Sequence, residues 1–114
     1  MMKYVSLFLM IWALPVMARN FLPGTEDIPL MKGLSRVEET ASFDTPSERM
    51  VLISAQTSLS PNKVESFYRQ TLSNLGWVEV KPNGYKRGND TFYLEISSRG
   101  EMSYIQFRLG QNNP

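Results

Sequence analysis

Ser60-Pro61-Asn62-Lys63-Val64-Glu65-Ser66-Phe67-Tyr68-Arg69-Gln70-Thr71-Leu72-Ser73-Asn74-Leu75-Gly76-Trp77 is the stretch on which the fold turns. Ser60 is a helix N-cap candidate, and Pro61 follows at the first helical position, where a missing N–H costs nothing. Val64, Phe67, Tyr68, Leu72 and Leu75 fall at i, i+3, i+4, i+8 and i+11, one stripe of a 3.6-residue period. Lys63, Glu65, Arg69, Gln70 and Asn74 form the wet face. Gly76 stands where a left-handed residue ends a helix, and Trp77 is expected to fold back on the helix or the sheet.

Outward from this helix the period changes to two. Upstream, residues 36–43 are a weak strand candidate, Asp44-Thr45-Pro46-Ser47-Glu48 reads as a turn, and Arg49 to Thr57 reads as an inner strand. Downstream, Trp77 to Val80, Tyr85 to Arg87, Thr91 to Ser97 and Met102 to Leu109 read as strands. Turn chemistry separates them at Pro82-Asn83-Gly84, Gly88-Asn89-Asp90 and Ser98-Arg99-Gly100-Glu101. The order predicts an α+β domain over residues 36–110, an antiparallel sheet of five to six strands with one helix packed on one face. Phe67, Leu72 and Leu75 are expected to pack against Ile53, Phe92, Leu94, Ile96, Ile105 and Phe107. The opposite face then shows Tyr93, Glu95, Tyr104, Gln106 and Arg108.

The chain opens with Lys3, an apolar run from Tyr4 to Met17 broken by Pro15, and Val16-Met17-Ala18. That is the order of a cleavable signal peptide over residues 1–18, and the run is short for a membrane span. The expected product is exported and not stably inserted in a membrane. Residues 19–35 read as an irregular strap with Pro23-Gly24 and Ile28-Pro29. Its Ile28, Leu30 and Met31 either tuck against the core or belong to a loosely packed arm. Residues 111–114 read as a frayed tail.

The full chain holds twelve basic and eleven acidic residues. Loss of residues 1–18 removes only Lys3 and leaves the charge balanced. This argues against nucleic acid as a partner. There is no Cys and no His, so no disulfide, no lipid-anchored cysteine and no imidazole base or ligand exists. The sequence shows no cofactor or metal motif and assigns no catalytic residue. Ser60-Pro61-Asn62-Lys63 matches the S-x-x-K spacing of penicillin-recognising serine acyltransferases, but their S-D-N and K-T-G motifs are missing and a helix cap explains the serine. Glu38 and Glu39, with Asp44 and Glu48, raise the question of paired carboxylates, yet adjacent strand residues point to opposite faces. Asn89-Asp90-Thr91 is a glycosylation sequon by pattern and a hairpin turn by physics.

Asp27-Ile28-Pro29-Leu30-Met31-Lys32-Gly33-Leu34, Phe43-Asp44-Thr45-Pro46, Arg49 and the run from Val64 to Trp77 with Phe67-Tyr68-Arg69, Thr71-Leu72 and Leu75-Gly76-Trp77 form a further pattern. By it the chain resembles a group of uncharacterised small exported proteins of alphaproteobacteria. The resemblance covers most of residues 27–80. It implies the periplasm and carries over no site residue.

The leading expectation is a non-catalytic binding or accessory module for another envelope protein, with Tyr93, Tyr104, Gln106 and Arg108 as the partner-binding face. The alternatives are a small envelope enzyme or enzyme inhibitor, and a small-ligand binder using a groove between residues 20–34 and the sheet.

Overall fold

The computed structural model describes residues 21–112. The expected signal segment, residues 1–18, and the last two residues of the expected tail lie outside that range. The elements run β1 (Ser35–Asp44), β2 (Glu48–Thr57), α1 (Pro61–Asn74), β3 (Val78–Lys81), β4 (Gly84–Arg87), β5 (Asp90–Arg99) and β6 (Met102–Asn112). Six strands form one antiparallel sheet in the order β1-β2-β6-β5-β4-β3. The fold is α+β, with one helix among the described residues. The helix carries the chain from β2 to the far edge at β3, and the meander returns until β6 fills the gap between β2 and β5.

The Ser60 side chain accepts a hydrogen bond from the Lys63 backbone N–H at 3.3 Å, and Pro61 opens the first turn. At the other end the Gly76 N–H donates to the Ser73 carbonyl at 3.2 Å and the Trp77 N–H to the Leu72 carbonyl at 2.9 Å. Gly76 has φ of 91°. This pair of bonds is the Schellman termination, which needs a left-handed residue at that point.

The same termination corrects one expectation about the core. Leu75 is the C-cap residue, with φ −99° and ψ 10°, and it is 38% exposed. Once the backbone leaves helical geometry, the i+11 position no longer falls on the stripe. Trp77 takes the place expected for Leu75, buried with its ring centroid 6.1 Å from that of Phe92. Phe67 is only partly buried, edge-on to Tyr68 at 4.9 Å. Ile96, too, lies at the margin of the core.

The buried row of the sheet is Val51, Ile53 and Ala55 on β2, Phe92 and Leu94 on β5, and Ile105, Phe107 and Leu109 on β6. From the helix, Val64, Tyr68 and Leu72 meet it with no exposure. Tyr68 sits at the centre, 5.3 Å from Phe107 and 6.4 Å from Phe92 by ring centroid. Edge and tilted contacts of this kind add to the area they bury.

The strap shares this core. Leu22 and Ile28 are buried, and Leu30, Met31 and Leu34 pack beside them. Its polar backbone is taken up by side chains of the domain. The Tyr68 hydroxyl donates to the Pro29 carbonyl at 2.8 Å and accepts from the Met31 N–H at 3.2 Å. Thr57 donates to the Gly33 carbonyl at 2.9 Å, and Arg49 to the Gly24 carbonyl at 2.7 Å. β6 runs to Asn112, so Gln111 and Asn112, expected in a frayed tail, pair with Arg49 and Glu48 of β2.

Candidate functional site

The outer face of the sheet follows from register. Tyr104, Gln106 and Arg108 alternate with the buried residues of β6 and are exposed. Opposite them on β5 stand Ser97, Glu95 and Tyr93, and on β2 stand Gln56, Ser54 and Leu52. Neither α1 nor the strap reaches this side, because both pack on the buried row.

The face is not flat. A register shift between Ser35 and Glu38 and another between Glu39 and Ala41 bend β1, and Arg36 adopts φ of 50°. Bulges of this kind bend an edge strand and re-aim its side chains. Arg36 and Glu38 thereby wall a depression of about 550 Å³ whose opposite side holds Glu95, Tyr104 and Gln106. A second depression of about 230 Å³ is lined by Tyr93, Glu95, Gln106 and Arg108 with Pro82 and Asn83. Glu95 and Gln106 line both. The four residues expected to form a partner-binding face therefore lie on the same side of the sheet, Tyr104 in the first depression, Tyr93 and Arg108 in the second, and Gln106 in both. The sequence pattern gave no sign of Arg36 or Glu38 as its wall, because bulges leave no period-2 signature.

Both tyrosine rings already carry a cation. Lys81 Nζ lies 4.7 Å from the Tyr93 centroid, and the Arg99 guanidinium 5.7 Å from that of Tyr104. A partner meets the rings with their cations in place.

The arrangement does not assemble a glycosidase pair. Glu38 and Glu39 lie opposite Ser54 and Ile53, on opposite faces. Glu38 shares a row with Glu95, but Ser54 and Gln106 stand between them. Three inter-strand steps make about 14 Å on a flat sheet, beyond the roughly 5–9.5 Å such enzymes use. Ser60 is spent as the helix cap. Among the described residues no group of three or more acidic side chains is placed to hold a metal ion. Asn89 sits in the turn between β4 and β5, next to Gly88 with φ of 63°.

Two tyrosines on the buried side have perturbed phenols. Burial pushes Tyr68 well above the usual phenol range, against a smaller opposing effect of the Met31 N–H. Tyr85 is raised by burial first, then by the Glu79 carboxylate. Its hydroxyl has no partner among the described residues.

A third concavity, of about 380 Å³, lies between the strap and the sheet. It lies where a groove between residues 20–34 and the sheet is expected for a small-ligand binder; Arg49, Arg87 and Trp77 line it, and no sequence pattern marks either arginine for this place. Their neighbours in the cleft, Thr25, Glu26 and Asp27, are distant in sequence, so no local motif marks the site.

Comparison of the chain with protein-family models, with curated proteins and with solved structures found no match.

Proposed function

We propose that this chain is an exported, periplasmic, non-catalytic binding or accessory module that engages another envelope protein through the outer face of its sheet. One observation carries the reading. Helix and strap seal one face, while Tyr93, Tyr104, Gln106 and Arg108 line two adjoining depressions on the other. Tyrosine and arginine are the residues that dominate binding energy at protein interfaces. The edge strand is a poorer docking element, since β1 carries two register shifts and Glu38-Glu39, features that oppose strand addition. The balanced charge of residues 19–114 favours a protein over nucleic acid. The signal-like residues 1–18 and the resemblance of residues 27–80 to exported alphaproteobacterial proteins support the compartment, and the kinship belongs to the same proposal.

Cross-linking in intact cells, followed by capture and mass spectrometry, tests it. The parent protein is expected to yield a discrete adduct with an envelope protein. The double variant Tyr104→Ala, Arg108→Glu is expected to lose that adduct while Leu75→Ala keeps it. An adduct that survives the double variant, or none from the parent, would overturn the reading.

A further inference from the structure

We propose that the cleft between the strap and the sheet is a binding site for a small organic carboxylate, independent of the outer face. Its volume of about 380 Å³ falls among small-molecule sites, which pair an apolar floor with a few convergent polar groups. Trp77 and Leu109 supply apolar lining. Arg49 from β2 and Arg87 from β4 supply two guanidinium groups.

The two arginines are held differently. Arg49 donates to the Gln111 side-chain oxygen at 2.8 Å and to the Gly24 carbonyl at 2.7 Å. Both acceptors are neutral, and no carboxylate among the described residues lies within ion-pair distance of Arg49. Its guanidinium is therefore held in place without a direct ion pair, although the Glu39 carboxylate lies beside Gly24 and Asp44 stands opposite Arg49 on β1, and a planar fork held this way recognises an incoming carboxylate at little ordering cost. Arg87 stacks over the Trp77 ring at 4.5 Å and donates to the Leu75 carbonyl at 3.2 Å. It also pairs with the Asp27 carboxylate of the strap at 2.9 Å. Asp27 shows that this cleft already accommodates a carboxylate against a stacked guanidinium. A ligand carboxylate beside it falls to Arg49, with its ring against the Arg87 guanidinium that covers buried Trp77. Glu26, exposed on the same rim, opposes the ligand's charge and limits affinity.

Trp12 and Trp77 are the only tryptophans. In the protein carrying Trp12→Phe, fluorescence therefore reports on this cleft. Titration with phenylacetate is expected to give a saturable change, and uncharged phenylacetamide to bind at least about tenfold more weakly. Arg49→Lys keeps the charge and loses the fork, so it should weaken phenylacetate binding several-fold. Arg49→Gln should abolish the difference between the two compounds. Glu26→Gln touches no packing and should tighten phenylacetate binding by about two- to fivefold, the range of an exposed charge interaction. Equal responses to the acid and the amide would overturn the proposal, as would no saturable response to phenylacetate. If the Arg49 variants do not fold, Glu26→Gln decides, and unchanged or weaker binding there counts against the site. Tyr104→Ala should bind phenylacetate as the parent does, which separates failure of this site from failure of the outer face.

Discussion

The two faces of the long strands carry the same alternating sequence and meet opposite fates. On one side Val51, Ile53, Phe92, Ile105 and Phe107 are sealed under a helix and a strap. On the other, Tyr93, Tyr104, Gln106 and Arg108 line two open depressions, with Leu52 opposite Arg108. Residue type alone does not separate them, since tyrosine stands on both sides. Tyr68 has no exposure and spends its hydroxyl on Pro29 and Met31, whereas Tyr104 is 36% exposed with Arg99 over its ring. The same residue type is a structural clasp where its polar end finds backbone and a contact surface where it does not.

The sharpest break of this comparison is Tyr68→Ala. It should cost about 3–5 kcal/mol, the range for truncating a buried aromatic. Against a total of about 5–15 kcal/mol, the variant should be partly or wholly unfolded at 37 °C in a thermal melt. Phe67→Ala should cost less, because that ring is only partly buried. Leu22→Ala, removing a strap residue from the core, should cost about 2–4 kcal/mol in urea titrations. A loss near zero there would mean that the strap is not part of the cooperative unit.

Tyr68→Phe isolates the clasp. It leaves the ring and strands the Pro29 carbonyl and the Met31 N–H, at a cost of about 1–3 kcal/mol. It also has a pH signature. Burial raises the Tyr68 phenol, so the folded state keeps a proton that the unfolded chain releases above the ordinary phenol value near 10. The stabilisation is complete below that value and falls as pH rises through it. Urea titrations between about pH 8 and 11 should show the parent losing stability more steeply than Tyr68→Phe. Parallel curves would remove Tyr68 from the account.

Smaller effects follow. Ser60→Ala should cost about 0.5–2 kcal/mol, the loss of one cap, with no change in the outer-face adduct. Leu75→Ala and Tyr104→Ala should each fall within about 0.5 kcal/mol of the parent.

What the sequence made legible was local. Ser60-Pro61 and Gly76 bracket the helix, and the period-2 rows of β5 and β6 place Tyr93, Tyr104, Gln106 and Arg108 on the face away from Phe92 and Phe107. The insertion of β6 between β2 and β5 was not legible, because pairing joins residues as distant as Glu48 and Asn112. Leu75 misled because a stripe continues on paper past the point where the backbone leaves the helix. Leu22 lies in a segment without period, so nothing but tertiary contact marks it as core. A groove between strap and sheet is among the expectations of the sequence, but its two arginines are opaque for the same reason. Asp27 meets Arg87, and Gly24 meets Arg49, only after the strap has docked.

Nitration of the folded protein with tetranitromethane, mapped by peptide mass spectrometry, tests the contrast between the faces most directly. Tyr104 is expected to be modified first and half-buried Tyr93 next, while Tyr68 and Tyr85 stay protected until the protein is unfolded. Burial both shields those two rings and suppresses the phenolate that reacts. Protection of Tyr104 equal to that of Tyr68, or early modification of Tyr68, would contradict that contrast: the outer face would then be covered, or the strap would not hold the inner face closed.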